Sequence, residues 1–385
     1  MTIIYFHIGM HKTGTSSIQA TLAKSRKILA KFGVLYPSIQ EPNHSVAITS
    51  LFSETPLQYK ENIRRGIRDE KTLHALNKHN EAKLNEQLSQ QKWEKMIISG
   101  ESICIMKYKS LQNMKAYFDK KATSYKIIFY AREPISYASS NAQQQVKAGD
   151  VTLEKIYKKP PKVGYRERLE KFIDLFGIDN IIIRHFDKAK YSLINDFFQA
   201  VDEPNILPFI VETKFNESLS QEAIRLLSLY NLFAPTFIFD KQKKKTLNPD
   251  RPDRSRVINT IKTISSSDTG KFQLPREVVA KANDWEDLKW FEDRFGKITE
   301  ESFYNQKVVQ EQQVPTYTES ECLISKALHD FLAADVEDWE AHHKFSQVLY
   351  GRGYTDAAAY YEQKSKKLKK KSLTRELNNP STKPE

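Results

Sequence analysis

Two short stretches of the chain carry residue types suited to holding phosphate and transferring a group from it. The first reads His7-Ile8-Gly9-Met10-His11-Lys12-Thr13-Gly14-Thr15-Ser16-Ser17. An apolar run ends, a glycine-framed loop follows, and a helix opens on hydroxyl residues. Free backbone N–H groups, the positive end of the helix and a lysine then converge on one point, which is the geometry of an anion site. The helix dipole is worth only about 0.3–1 kcal/mol per charge at an exposed site. Lys12 and the hydroxyls of Thr13, Thr15, Ser16 and Ser17 must therefore act together. Gly9 and Gly14 have the separation of the nucleotide-binding pattern Gly-x-x-x-x-Gly-Lys-[Ser/Thr], but Thr15 stands where that lysine belongs. Such a loop can cradle phosphate without being a standard magnesium–nucleotide hydrolase. The second stretch runs from Tyr130 to Gln143, with Arg132 at its head and Ser140 eight residues later. An arginine just past a parallel strand lies on the sheet edge where open α/β folds bind ligands, and arginine plus a hydroxyl suits a second phosphate.

The elements that must position these stretches follow from the apolar pattern. Ile3–Ile8, Val34–Tyr36, Met96–Ser99, Tyr125–Tyr130 and Ile181–Ile183 read as short apolar strands. Helical patterns separate them: Ser16–Phe32, stopped by Gly33, then 109–120, 136–148, 165–176 and 189–200, with polar helices over 57–95. Strands alternating with helices predict an α/β fold, a parallel sheet covered by helices on both faces. After about residue 232 the strand signal stops, and the C-terminal part reads as an α-helical extension. The expected division is a core over 1–232, a basic loop and helices completing it over 233–304, and a linker over 305–318. A helical hairpin over 319–371 and a disordered tail over 372–385 follow. The turn Gly351-Arg352-Gly353-Tyr354 with Tyr361 is similar to a tetratricopeptide turn, and one such hairpin is expected to pack on the main domain or to dock a protein partner.

Sixty Lys and Arg against 48 Asp and Glu give a net charge of +12 over 385 residues. Two segments hold nearly all of it. Residues 241–256 carry seven basic residues against two acids, and 364–385 carry eight against two. A nucleic-acid binder would spread its charge more widely, so no nucleic-acid partner is expected. The 241–256 loop hints at an anionic ligand. Cys104 and Cys322 are too few for a disulfide scaffold or a cysteine metal site, and no metal site is expected. No apolar run is long enough to span a bilayer. The N-terminus lacks a signal-peptide pattern, so the expected compartment is the cytoplasm.

Together the two motifs resemble the sulfotransferases that use 3′-phosphoadenosine 5′-phosphosulfate (PAPS). The nearest likeness is to bacterial sulfotransferase-like proteins opening with His-x-Gly-x-x-Lys-Thr-Gly-Thr-Ser-Ser-x-Gln, here His7 to Gln19. Further similarity lies in Gly33-Val34-Leu35-Tyr36-Pro37, Ser99-Gly100-Glu101 and Phe215-Asn216-Glu217-Ser218-Leu219. The resemblance covers about residues 3–231. It implies a P-loop-like fold and sulfuryl transfer from PAPS to an acceptor hydroxyl or amine, with a saccharide or glycoconjugate as acceptor and no metal required. It implies that Lys12 stabilises the leaving oxygen and that Thr13, Gly14, Thr15, Ser16 and Ser17 hold the 5′-phosphate. Arg132 and Ser140 would then hold the 3′-phosphate, and Phe186 would stand beside adenine. The cytosolic branch of the family has a Trp five residues past the lysine for adenine; here that position is Ser17.

The acceptor needs a general base within hydrogen-bond reach. Glu101 occupies the strand end where the cytosolic branch has a histidine and is the first choice. His44 is the second. His7 reads as a packed strand residue, and His11 as an exposed one or a phosphate contact. Two other readings stay open on sequence alone: a P-loop kinase or nucleotide hydrolase, and a catalytically inactive sulfotransferase-like adaptor.

Overall fold

The computed structural model describes residues 2–90, 92–149, 151–213, 218–239, 245–265, 270–280, 284–298 and 316–378. The chain forms two compact units. The first comprises Met1–Tyr137, Lys162–Asn216 and Asn283–Lys307; the second comprises Ala138–Pro161, Glu217–Ala282 and Val308–Glu385.

The first unit is built on five parallel strands: β1 (Ile3–His7), β2 (Val34–Leu35), β3 (Lys95–Ser99), β4 (Ser124–Ala131) and β5 (Ile181–His185). Their order across the sheet is β2-β3-β1-β4-β5. Between β1 and β2 run α1 (Thr15–Lys24) and α2 (Arg26–Lys31). Between β2 and β3 run α3 (Ser45–Phe52), α4 (Lys60–Arg64) and α5 (Glu70–Gln90). Then come α6 (Tyr108–Phe118), α7 (Pro134–Lys147), α8 (Leu153–Lys158), α9 (Tyr165–Phe176), α10 (Phe186–Ala189) and α11 (Leu193–Ala200).

Alternation along the strands fills two cores, one on each face of the sheet. Ile4, Phe6, Met96, Ile98, Ile127 and Phe129 face one core, which α3, α6 and α9 close with Ile48, Leu111, Leu169 and Phe172. Tyr5, Ile97, Ile128 and Tyr130 face the other, closed by Ile18 and Leu22 of α1 and by Leu193, Phe197 and Phe198 of α11. The fold class read from the sequence is the one observed, an α/β sheet covered on both faces with a helical C-terminal part. The single helix expected over Ser16–Phe32 is broken at Ser25, whose backbone lies outside the helical range at φ −95° and ψ 6°. Gly33 at φ 69° then ends α2, in a left-handed conformation that costs glycine nothing.

From β1 the chain turns toward the β2 edge of the sheet, whereas β4 is followed in the sheet by β5 on the other edge. Connections that part in this way leave a crevice at the carboxyl ends of β1 and β4. The loop after β1 and Arg132 after β4 stand at those strand ends.

The second unit is largely helical: the later part of α7, α8, α12 (Gln221–Phe233), α13 (Arg254–Ile264) and α14 (Arg276–Ala280), while α15 (Trp285–Phe295) belongs to the first unit. Three further helices follow, α16 (Glu319–Ala333), α17 (Trp339–Tyr350) and α18 (Thr355–Asn378). The sequence reading placed a hairpin over 319–371; three helices stand there, and the last runs on to Asn378. Phe331, Phe345 and Tyr361 tie them together, with Phe331 stacked on Phe345 at 4.7 Å and Tyr361 edge-on to Phe345 at 5.0 Å. The expectation that strands stop after residue 232 is corrected by a two-stranded antiparallel hairpin, Phe237–Phe239 with Lys245–Leu247. Its strands are three residues long, too short for alternation to register. Residues 305–315 of the expected linker, Lys241–Lys244 of the basic loop and Phe215-Asn216-Glu217 lie outside the described residues.

Candidate active site

The phosphate-type loop is held open by its backbone. Gly9, Lys12 and Gly14 all have positive φ, at 92°, 67° and 72°. The loop is anchored to β4 at both ends of Gly9, since Ile8 N–H donates to Ile128 O at 3.0 Å and Tyr130 N–H donates to Gly9 O at 2.7 Å. Thr13 is buried, and its hydroxyl donates to Met10 O at 2.7 Å; the Thr15 hydroxyl donates to the same oxygen at 3.4 Å. These two hydroxyl protons brace the loop from inside. The N–H groups of Thr13, Gly14, Thr15 and Ser16 have no hydrogen-bond partner among the described residues. Gly14 is the N-cap of α1 and provides no side-chain cap, so the first turn keeps its donors for an anion. Ser16 is exposed and Ser17 half-buried.

Arg132 leaves the end of β4 and is tied down on two sides. Its Nε donates to Ser136 Oγ at 2.8 Å, and Nη1 donates to the backbone carbonyl of Lys12. Nη2 has no hydrogen-bond partner among the described residues. The guanidinium lies over the Phe186 ring at 5.1 Å. A Cβ added at Gly14 would meet the same ring at 3.4 Å. Phe186 therefore stands between the two motifs. Burial pulls the Arg132 pKa below the usual arginine value, with Asp187 and Glu133 opposing; an arginine stays charged regardless. Asp187 Oδ2 accepts the Glu133 N–H at 3.2 Å at the start of α7, and Tyr165 Oη donates to Arg132 O at 2.6 Å. Ser140 lies one turn beyond Ser136 on the same face of α7. Ser136, the hydroxyl that touches Arg132, was not among the sequence candidates, although it falls within the motif.

Glu101 follows β3, in a turn packed on the phosphate loop: a Cβ added at Gly9 would lie 3.0 Å from the Glu101 Cβ. Its carboxylate accepts Asn43 Nδ2 at 3.1 Å on each oxygen and Gln19 Nε2 at 3.2 Å on Oε2. Neither Asn43 nor Gln19 was singled out for chemistry, because they reach Glu101 from 58 and 82 residues away in sequence.

His44 is not placed to act as a base. It is 1% exposed. Its Nδ1 lies 3.1 Å from the Ser99 N–H, which needs an acceptor, so Nε2 carries the proton and donates to Pro37 O at 2.8 Å. Burial lowers its pKa to about 4. The ring joins the end of β3 to the Pro37 turn and has no lone pair left. His7 is fully buried, with Nδ1 2.8 Å from Ser99 Oγ, and burial lowers its pKa to about 3. His11 is half-buried beside Cys104. Burial would raise that thiol, but Arg168 and His11 outweigh it and hold the pKa below the usual cysteine value.

Among the described residues no cluster of three or more His, Cys, Asp and Glu could hold a metal ion. No helix among them is long and apolar enough to cross a membrane. Neither a protein-family profile nor a curated sequence relative matches the chain. Among solved structures, a sulfotransferase from Alicyclobacillus acidocaldarius is similar over 55% of this chain and 85% of its own, at 16% identity and a TM-score of 0.35. A likeness at that level assigns no residue its role.

Proposed function

We propose that the first unit is a PAPS-dependent sulfotransferase acting on a hydroxyl or amine of a carbohydrate acceptor. The observation that carries this reading is the bond from Arg132 to the Lys12 carbonyl. It links the anion loop to a guanidinium with one free donor edge, so that two separated phosphates on one ligand meet two linked cationic sites. A 3′,5′-bisphosphate has that arrangement, and ATP does not.

The residues fit such a ligand by their donor chemistry. The unpartnered N–H groups at the start of α1 and the Lys12 ammonium would hold the 5′-phosphate. Arg132 Nη2 would hold the 3′-phosphate, and Phe186 would lie against the adenine. When bound, PAPS supplies an activated sulfuryl group. Glu101 takes the proton from the acceptor hydroxyl as its oxygen bonds to sulfur. Lys12 neutralises the charge left on the 5′-phosphate oxygen when the S–O bond breaks, the work done by cationic clamps in phosphoryl transfer.

Calorimetry with adenosine 3′,5′-bisphosphate (PAP), without metal, tests the reading, with ATP plus Mg²⁺ as the comparison. Binding of PAP that Arg132→Ala and Lys12→Ala each weaken is the expected result. A preference for Mg-ATP, or no binding of PAP, would overturn it. Sulfate transfer from PAPS to a panel of neutral and acidic oligosaccharides then tests the acceptor class.

A further inference from the structure

We infer that Asn43 and Gln19 are positioning residues that present one chosen oxygen of Glu101, Oε1, to the acceptor. The inference rests on Glu101 being the base in the reading above. Oε2 takes two donors, Gln19 Nε2 at 3.2 Å and Asn43 Nδ2 at 3.1 Å, whereas Oε1 takes Asn43 alone at 3.1 Å. The less occupied oxygen is the one with a lone pair for a proton. The orientation of Asn43 is set by its other end, since Oδ1 accepts the Ser45 N–H at 2.8 Å and so leaves Nδ2 as the group facing Glu101. Gln19 is 3% exposed and also donates to Ser99 O at 3.4 Å. Both amides are therefore fixed before they meet the carboxylate.

No lysine or arginine pairs with Glu101 among the described residues. Glu101 is half-buried, and a cation paired with it would compete with the substrate proton for its lone pairs. Two neutral amides hold the group in place and leave the proton-accepting side open. Gln19 stands on α1, the helix that opens at the phosphate loop, so the same element that would bind the donor also orients the base.

Asn43→Asp separates this role from a structural one. The aspartate keeps an acceptor for the Ser45 N–H, and with it the turn, but removes the donor and sets a second carboxylate against Glu101. Gln19→Met removes the other donor at similar volume. Turnover of PAPS to PAP is measured with N-desulfated heparin, with chondroitin and with water as acceptors, and PAP affinity is measured by calorimetry. The expected result is a fall in kcat of roughly tenfold or more in each variant, since displacements near 1 Å can cost about a hundredfold. The KM for PAPS and the affinity for PAP stay within about twofold. Combining either change with Glu101→Gln adds little to the loss from Glu101→Gln alone. Unchanged kcat in both variants, or a parallel loss of PAP affinity, overturns the inference. Where wild type turns over none of these acceptors, crystal structures of wild type and Asn43→Asp with PAP decide the point. A Glu101 carboxylate displaced in the variant supports the inference, and one left in place overturns it. Failure of wild type to bind PAP counts instead against the reading of the site as a whole.

Discussion

A guanidinium N–H of Arg132 donates to the backbone carbonyl of Lys12, joining the loop after β1 to the end of β4 across adjacent strands. The bond makes Arg132 serve two ends. It fixes Lys12, a positive-φ residue of the anion loop, and together with Nε on Ser136 it leaves Nη2 without a hydrogen-bond partner among the described residues.

Replacing Arg132 should therefore cost both binding and order. Hydrogen bonds to charged groups are worth about 1.5–3 kcal/mol, so Arg132→Ala should weaken PAP binding roughly 10- to 150-fold. Arg132→Lys keeps the charge but cannot keep three donors in a plane, and should recover only part of the loss. Affinity for adenosine 5′-phosphate, which lacks the 3′-phosphate, should change far less. Isothermal calorimetry on the three proteins with the two ligands checks the pattern, and equal losses for both ligands would deny Arg132 its 3′-phosphate role.

Lys12 is one of few non-glycine residues with positive φ, at 67°. A side chain in that region costs roughly 1 kcal/mol against glycine. Strain kept at one lysine in an anion loop is expected where the ammonium is needed. Lys12→Gly should raise the stability of the folded chain by up to about 1 kcal/mol while sharply reducing affinity for PAP. Urea denaturation and calorimetry on the same preparation test it; a variant that is both less stable and unimpaired in binding would contradict both halves.

The parts legible in the sequence were those set by near neighbours. Strands β1, β3 and β4 are short continuous apolar runs because both faces of each are buried, while the half-buried edge strand β5 shows itself by its isoleucine run. The anion loop is read from spacing alone, since its glycines and hydroxyls act within one turn. What the sequence hid is what distant segments bring. An isolated view of His44 offers an imidazole; only the fold brings the Ser99 N–H and Pro37 O to its two nitrogens and so removes it as a base. Asn43 and Gln19 acquire meaning only when the fold brings the loop after β2 and helix α1 beside Glu101 at the end of β3. Ser136 lay within the motif, but the pairing of Arg132 with the nearer hydroxyl depends on how the side chain leaves β4.

Two buried histidines of the first unit, His7 and His44, predict acid sensitivity of the fold. His7 and His44 are held neutral, with pKa values lowered by burial to about 3 and about 4, against about 6.5 in the unfolded chain. Above pH 6.5 neither state binds these protons, and the stability is intact. Between pH 6.5 and about 4 the unfolded chain takes them up and the folded chain does not, so stability falls as pH falls. The slope is about 1.4 kcal/mol per pH unit for each histidine. It levels off only below the folded values. His44→Ala should lower stability at pH 7 yet flatten the dependence between pH 6 and 5 by one proton. Urea midpoints over that range test this, and an unaltered slope would mean His44 is protonated in the folded chain.

In the second unit, Arg225 grips Glu321 with both ends of its fork, Nε to Oε1 at 2.6 Å and Nη2 to Oε2 at 2.9 Å. Glu321 also closes a capping box at the start of α16, accepting the Thr318 N–H at 2.8 Å while its own N–H donates to Thr318 Oγ1 at 3.1 Å. Burial would raise this carboxyl, yet Arg225 and Thr318 hold it below the usual glutamate range. The pair thus fastens α12 to the first turn of α16. The side chains are 25% and 12% exposed, so part of the attraction is screened and the full cost of a broken buried pair is not expected. Arg225→Ala should destabilise by about 2 kcal/mol, because Glu321 is left half-desolvated without its cation. Thr318→Ala, which removes the cap and the hydroxyl's bond to Glu321 Oε2 but leaves the Arg225 fork, should cost about 1 kcal/mol. Arg225→Met with Glu321→Leu should recover most of the loss, since the stranded charge goes with its partner. Denaturant unfolding of wild type and the three variants measures each step; a double variant no better than Arg225→Ala would mean that the fork itself, and not relief of an unpaired charge, secures α16 to α12.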